Sequence, residues 1–235
     1  MKRRLLLGLC VLLALAFAAL GVWQVERRTW KLDLIARVTA RSTATPAPLP
    51  PRAAWKEDQS YRRVRVTGTL LNDRETLVQA VTDYGPGWWV MTPLETGTTT
   101  LLVNRGFIPN DRRDPANRPA GQPRGPVTIT GLLRTTEPGG AFLRSNDPAA
   151  GRWYSRDVAA IARARGLRDT PPFFLDAPPF FLDADATPNS GGYPIGGLTV
   201  IAFRNNHLVY ALTWFALAAL SIAGAVLAWR KEDAR

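Results

Sequence analysis

The sequence is poor in the side chains that most often carry catalysis or bind metals. Its 235 residues include one histidine, His207, one cysteine, Cys10, and two methionines. A single cysteine cannot form an intrachain disulfide, and no cluster of cysteine and histidine has the spacing of a zinc site. A Ser-His-Asp or Cys-His arrangement would have to use His207, and no serine lies in a nucleophile elbow. We therefore expect that the protein is not an enzyme.

A compact basic block, the usual mark of a nucleic-acid-binding protein, is also lacking. The formal net charge is +11, but the basic residues are scattered between acidic ones and are not interleaved with aromatic residues. This distribution predicts that nucleic acid is not a partner. It is better suited to anionic lipid headgroups or to acidic protein surfaces.

Two stretches are apolar and long enough to cross a membrane. Residues 5–25 and 208–229 contain no charged side chain, and each has the ~20 residues that an apolar helix needs to span the hydrocarbon layer. We therefore predict transmembrane helices over 5–25 and 207–229, with short tails over 1–4 and 230–235.

The first stretch has a second interpretation, a cleaved signal peptide. Basic residues precede it, and Ala16-Phe17-Ala18 resembles a small-residue cleavage site. The apolar run continues past this site to Val25, which is longer than a usual signal-peptide core and favours an uncleaved anchor.

Basic residues beside the two stretches predict the orientation of the chain. Those nearest the ends are Lys2, Arg3, Arg4, Arg230 and Lys231. Two crossings place both tails on one side, so we expect both in the cytoplasm and the intervening domain in the periplasm, in the inner membrane of a bacterium. No Arg-rich, Ser-rich transit peptide precedes the first helix, which argues against a mitochondrial precursor.

The segment between the two helices divides into a linker and a domain. Residues 26–54 continue the helical spacing and then become proline-rich, which indicates a helix extension followed by a linker. Residues 55–206 contain alternating apolar segments that predict β-strands, and residues 109–126, rich in Pro, Gly, Arg and Asp, indicate an exposed loop. The predicted strands cover residues 63–71, 75–81, 88–94, 99–105, 127–133 and 198–203.

One helix is expected in this domain. Ser155 is a candidate N-cap, Val158, Ile161 and Ala162 share a helix face, and Gly166 ends the helix. The fold class we predict is an α+β membrane protein, in which two terminal transmembrane helices flank a mostly antiparallel β external domain with one clear helix. The sheet is expected to form a small barrel or a sandwich.

Two repeats occur in the domain. Residues 66–70 align with residues 129–133. This similarity is either an internal repeat or the independent occurrence of an alternating strand with a glycine at a bulge or tight bend. Residues 171–177 recur letter for letter as residues 178–184. Since proline cannot donate to a sheet ladder, one continuous strand through both copies is excluded. We predict that one copy pairs into the sheet and that the other forms a loop.

The histidine lies where the polar domain meets the second apolar stretch. His207, Tyr210, Ala211 and Trp214 share one helix face, on which small Ala211 leaves room for a flat ligand beside two aromatic rings. Imidazole is a standard axial ligand of haem iron, and Arg204 lies at the same membrane surface. The alternative is that this face packs against the first helix and anchors the chain in the aromatic belt.

Cys10 is excluded from the same site by distance. At ~1.5 Å per residue it lies roughly 20 Å in depth from Trp23, which is at the end of the first stretch closest to His207.

Three blocks of the sequence form a pattern that is typical of one protein family: Gly21, Trp23, Gln24, Arg28 and Trp30-Lys31; Gly87–Leu94 with Leu102–Pro109; and Asn205–Leu208 with Tyr210-Ala211 and Thr213–Phe215. Through these blocks, and across nearly its full length, the sequence resembles the surfeit locus protein 1 family of cytochrome oxidase assembly factors. It departs from the family pattern in the duplicated 171–184 segment and at Phe107, where tryptophan is common.

The resemblance implies a role in building haem-copper oxidases. Bacterial members resemble haem a-binding chaperones that help to deliver this cofactor to subunit I of cytochrome c oxidase, and haem a synthase is a further expected partner. The proposed haem ligand of the family corresponds to His207. Tyr210 and Trp214 would flank the macrocycle, and Arg204 and Arg28 would hold the propionates.

A second function class is a membrane scaffold that stabilises oxidase subunit I during assembly and binds no haem. In this case Trp23, Trp30 and a Gly87-Trp88-Trp89 loop would form the contact surface, because buried aromatic residues often anchor interfaces.

Overall fold

The computed structural model describes residues 2–51, 60–97, 99–141, 143–167, 180–184, 192–198 and 203–233. Residues 1–37 and 201–235 form one compact unit, and residues 38–200 form another. The helices are α1 (Lys2–Thr43), α2 (Val158–Ala164) and α3 (His207–Asp233). The strands are β1 (Ala47–Pro48), β2 (Arg63–Leu70), β3 (Thr76–Thr82), β4 (Gly85–Glu95), β5 (Thr100–Pro109), β6 (Pro126–Thr135), β7 (Gly140–Ala141), β8 (Arg144–Ser145) and β9 (Phe180–Ala184).

Helices α1 and α3 are long and apolar enough, by length and composition, to cross a membrane. Large apolar side chains project outward along both, and Leu5, Leu15 and Leu220 are all more than 60% exposed, at 67%, 68% and 68%. Such contiguous apolar exposure is unusual on a surface that faces water. Helix α1 continues well beyond Val25 to Thr43, in agreement with the helical spacing that continues through residues 26–35.

Five strands of the domain close into a ring. Strand β2 pairs with β6, β6 with β9, β9 with β5, β5 with β4, and β4 returns to pair with the end of β2. All of these pairs are antiparallel except β5 with β9. Strand β3 adds to the free part of β4, and β1 adds to β2. The sheet is therefore a small, mostly antiparallel barrel, one of the two predicted forms.

Strand β5 is buried on both faces. Leu101 and Val103 point into the barrel core together with Val64, whereas Leu102 belongs to a second cluster with Trp153 and the apolar face of α2. Two buried faces explain why Leu101, Leu102 and Val103 are consecutive apolar residues and do not alternate with polar ones.

A glycine allows β2 to change partners. Strand β2 pairs with β6 through Thr69 and with β4 through Thr69 and Leu70. A side chain at Gly68 would collide with the backbone of Glu95, so this position needs a residue without Cβ. The alignment of residues 66–70 with residues 129–133 has two explanations, an internal repeat or a strand with a glycine at a bend. The close approach of the backbone at Gly68 is consistent with the second explanation.

The second copy of the duplicated segment enters the sheet. Phe180–Ala184 forms β9 between β5 and β6, and this strand completes the ring. The prediction that one copy pairs into the sheet is confirmed for this copy. The first copy, residues 171–177, lies outside the described residues, as does most of the strand predicted over 198–203.

The N-cap predicted for α2 is wrong. Asp157 is the cap, and its carboxylate accepts a hydrogen bond from the backbone N–H of Ala160. The hydroxyl of Ser155 instead accepts from the side-chain amide of Asn146. Both residue types are good caps, and the two positions are only two residues apart. Gly166 ends the helical turn in a left-handed conformation, φ 59°, as predicted.

The segment between β5 and β6 is not a simple exposed loop. It contains three single turns of 3-10 helix, at 110–112, 115–117 and 119–121. Arg118 is 4% exposed and forms a bidentate ion pair with Glu75. The buried guanidinium of Arg105 donates to the carbonyl of Gly121 at 2.5 Å. Most residues of the segment are exposed, as predicted. Its proline and glycine content could not reveal the contacts of Arg118 with Glu75 and of Gly121 with Arg105.

Candidate functional site

His207 is the first residue of α3, and its imidazole contacts α1. Its Nδ1 lies 2.7 Å from Oε1 of Gln24, a side chain that is only 9% exposed. Within the described residues the other ring nitrogen, Nε2, makes no hydrogen bond. The imidazole is therefore fixed at one nitrogen and available at the other.

Contacts along the hairpin of α1 and α3 hold this pair in register. Trp214 stacks on Phe17 with ring centroids 5.6 Å apart. Phe215 lies over Gly21, where an added Cβ would come within 2.5 Å of its ring. A small residue at this position lets the two helices approach closely.

The far end of the hairpin contains the cysteine. The Sγ of Cys10 lies 3.8 Å from the Cβ position of Gly224, which is 17 residues after His207, or roughly 25 Å along the helix at ~1.5 Å per residue. Cys10 and His207 are therefore at opposite ends, as predicted.

Packing against α1 covers part of the predicted ligand-binding face of α3 and leaves the rest exposed. Ala211 is 2% exposed and therefore leaves no open space beside it, contrary to our expectation. Trp214 is engaged with Phe17, whereas Tyr210 is 54% exposed. The 3.6-residue period places these side chains on one face of α3. Only the side of this face that carries His207 and Tyr210 remains accessible.

Two arginines lie close to His207 in the sequence or on the facing helix. Arg204 is exposed and precedes His207 by three residues. Arg28 is half-buried and follows Gln24 by one helical turn, on the same face of α1. Neither guanidinium makes an ion pair with a described residue. Arg27, in contrast, lies over the ring of Trp30 at 4.5 Å.

One buried polar atom near the histidine lacks a partner. The side-chain oxygen of Asn205 is buried, and no described group donates a hydrogen bond to it. Among the described residues, the site therefore combines an imidazole whose Nε2 makes no hydrogen bond, two guanidinium groups that form no ion pair, and a buried amide oxygen that accepts no hydrogen bond.

The tryptophans assigned to a contact loop in the scaffold hypothesis are part of the sheet. Gly87, Trp88 and Trp89 lie in β4. The indole of Trp88 donates to Asn110 at 2.9 Å, and Trp89 packs edge-on against the ring of Phe107. Trp88 and Trp89 thus lie in the strand predicted over 88–94, and the loop prediction is wrong for Gly87. Trp23 and Trp30 on α1 remain open, at 49% and 48% exposure.

The β domain holds a cluster of buried charges beside a cleft. Burial lowers the pKa of Arg105 to about 10, although the charge of Glu75 acts in the opposite direction and that of Arg118 adds to the decrease. The neighbouring cleft of about 680 Å³ is lined by the cationic side chains of Arg113 and Arg165 and by the acidic side chains of Glu75, Asp111 and Asp114. No group of three metal-binding side chains occurs in the part of the chain that the structure describes.

Gln24 contacts His207, but sequence reasoning gave it no role. It belongs to the first block of the family resemblance, but nothing in its spacing pairs it with a residue 183 positions away. The available signal was an uncharged polar side chain near the end of an apolar helix, at the same membrane level as His207.

Comparison with known proteins identifies the family. The model of the SURF1 family matches residues 11–219. Surfeit locus protein 1 of Rattus norvegicus is 36% identical over 217 residues, which cover 85% of this chain and 68% of the rat protein. The protein of the same name from Homo sapiens is 35% identical, covering 85% and 69%. A SURF1-like protein of Monosiga brevicollis is 38% identical, covering 92% and 84%. The chain belongs to the SURF1 family.

Proposed function

We propose that this protein is an assembly factor for haem-copper cytochrome c oxidase that binds haem a through His207 and assists its insertion into subunit I. The observation that carries the proposal is the contact between His207 and Gln24, which leaves Nε2 of the imidazole available as an axial ligand. Membership of the SURF1 family supports the assembly role.

The neighbouring side chains have distinct parts in holding the cargo. Arg204 and Arg28 offer cationic groups for the propionates, and guanidinium groups are well matched to carboxylates. Tyr210 presents an exposed ring beside the imidazole. Trp214 acts indirectly, because its stacking on Phe17 keeps α3 against α1 and so positions His207.

A single protein ligand suits a carrier that must release its cargo. His207 is the only histidine of the chain, Cys10 lies at the opposite end of the hairpin, and Met91 is fully buried in the β domain. His207 would then be the one residue of this chain that holds the haem iron, any further ligand would come from a partner, and no catalytic chemistry is required of this chain.

The proposal includes a membrane topology for the chain. Helices α1 and α3 would both cross the inner membrane of a bacterium, with the β domain in the periplasm and the basic tails in the cytoplasm. His207 would then lie at the outer membrane surface, where oxidase subunit I and haem a synthase are the expected partners and lipid headgroups surround Arg204.

The test is the absorption spectrum of the protein purified in detergent from cells that make haem a. The wild type is expected to carry haem, and His207→Ala is expected to lose it or to change the absorption bands. Asn206→Ala is the matched control, since it alters the neighbouring residue but leaves the imidazole. A haem spectrum that is the same in His207→Ala and wild type would remove the ligand assignment.

A second candidate function, a scaffold for subunit I without haem, is favoured by the exposure of Trp23 and Trp30. The discriminating experiment is capture of subunit I by the haem-free His207→Ala variant. A scaffold captures subunit I and restores oxidase activity without haem, and it loses capture when the two tryptophans are replaced by alanine. A haem chaperone captures subunit I but does not restore activity in this variant.

A further inference from the structure

We infer that Gln24 is a positioning residue that sets the tautomer and the orientation of the His207 ring, so that Nε2 presents its lone pair to the haem iron. The inference rests on the proposed function of His207 as the haem ligand. It adds a residue from the other helix to the site, and it makes the iron ligand dependent on the packing of the hairpin.

The chemistry of the contact determines which ring nitrogen carries the proton. The carbonyl oxygen Oε1 of Gln24 has no proton and can only accept, so the Nδ1 of His207, 2.7 Å away, must be the donor. A neutral imidazole has one N–H. With the proton on Nδ1, Nε2 is left with a free lone pair, which is the form that binds a metal.

The contact also fixes the direction of the ring. A histidine that binds a metal commonly donates its other N–H to an acceptor, which holds both tautomer and orientation and raises the basicity of the ligand. Here the acceptor is 9% exposed, so little water is available to compete for Nδ1. A ring held from the facing helix cannot turn about its χ angles without losing this hydrogen bond.

The register of the hairpin places the acceptor at the correct height. The Phe17–Trp214 stack and the Gly21–Phe215 contact lie within two turns of Gln24 on the same side of α1. Farther along, the ammonium group of Lys31 lies 5.2 Å from the ring centroid of Phe203. Contacts on both sides of Gln24 therefore prevent α1 from sliding relative to α3.

The first test needs no variant and no haem. Because the chain has one histidine, selective ¹⁵N-histidine labelling gives NMR signals from His207 alone, provided that the purification tag contains no histidine. In mildly alkaline buffer we expect a protonated Nδ1 and an unprotonated Nε2. A protonated Nε2 would mean that the amide group of Gln24 is turned to donate, and this result would overturn the inference.

The second test compares variants at position 24. Gln24→Met keeps the size of the side chain but has no carbonyl acceptor, and Gln24→Glu retains an acceptor oxygen. Val25→Met is the matched control, since it introduces the same side chain one residue later at a position that is 45% exposed. We expect Gln24→Met to weaken haem a binding by about 10–100-fold, the usual effect of removing an outer-shell partner of a metal ligand.

The readouts are haem titrations in detergent, the absorption bands of the bound haem and the tautomer signals of the haem-free proteins. We expect Gln24→Glu and Val25→Met to retain binding and an Nδ1-protonated ring. If His207→Ala loses haem but Gln24→Met binds it as wild type does, the inference fails and the proposed function stands. If His207→Ala binds haem unchanged, the proposed function fails and this role of Gln24 fails with it.

Discussion

Replacing Arg118 with methionine tests whether the buried charges of the β domain hold the segment between β5 and β6. The side chain of Arg118 is 1% exposed and that of its partner Glu75 is 10% exposed. Both terminal nitrogens of Arg118 donate to the carboxylate, and Nε donates to the carbonyl of Arg112 at 3.0 Å. The substitution leaves Glu75 charged, buried and without its bidentate partner.

The expected cost follows from what remains around Glu75. Removing one partner of a buried ion pair destabilises a protein by about 3–5 kcal/mol. Arg105 lies close enough for its charge and that of Glu75 to interact, so part of the lost attraction is compensated. We therefore expect a loss at the low end of this range, about 3 kcal/mol. For a domain of this size this corresponds to a decrease in Tm of roughly 6–12 °C.

The assay is thermal unfolding of the full-length protein in detergent, followed by near-UV circular dichroism, to which the tryptophans of the β domain contribute. Arg124→Met is the matched control, because Arg124 belongs to the same segment but is exposed. The double variant Glu75→Met/Arg118→Met should recover at least half of the loss, since no unpaired carboxylate remains. A Tm for Arg118→Met equal to that of Arg124→Met, or no recovery in the double variant, would refute the reasoning.

Three further predictions concern other parts of the chain. Gly106→Ala should destabilise the domain by more than Gly125→Ala in the same thermal assay, because its φ is 122° and a Cβ would collide with the backbone of Ile195. Glu137→Gln should cost less than about 1 kcal/mol at neutral pH, since the carboxylate is 41% exposed, and this cost should decrease as the pH falls below about 4.3 and through the lowered pKa of the folded state. Gly224→Cys should form a disulfide with Cys10 on mild oxidation, whereas two alkylatable thiols after oxidation would contradict the hairpin.

The pH dependence at Glu137 follows from the direction of its pKa shift. Burial acts to raise this pKa, but hydrogen bonds and the charge of Arg156 outweigh it and lower the pKa below the ordinary carboxyl value. The unfolded chain therefore binds the proton at higher pH than the folded chain does. The stabilisation is complete above the unfolded pKa of about 4.3 and is lost as the pH falls through the folded value.

Several elements of the fold were predictable because their local sequence patterns match the secondary structure that they form. Alternating residues identified β2 and β6, and helical spacing identified α2. The closure of the barrel was not predictable in the same way, since it requires β9 to lie between β5 and β6 through long-range pairing. Two buried faces also removed the alternation that would have defined β5, whose predicted end at residue 105 is four residues short.

The candidate site was predicted only in part, for physical reasons. The position of His207 at the boundary of an apolar helix indicated a membrane-surface site, and the structure adds a hydrogen-bond partner from the other helix. Helical periodicity gives the side of a helix but not the neighbour that covers it. For this reason Ala211 was expected to be open and is instead buried.

The central claim is that His207 is the haem ligand, and the most direct measurement is a titration of the purified haem-free protein with haem a, followed by the absorption of the bound haem. The account predicts saturation at one haem for each chain in the wild type and in Asn206→Ala, and no saturable binding in His207→Ala. Superimposable titration curves for wild type and His207→Ala would contradict it.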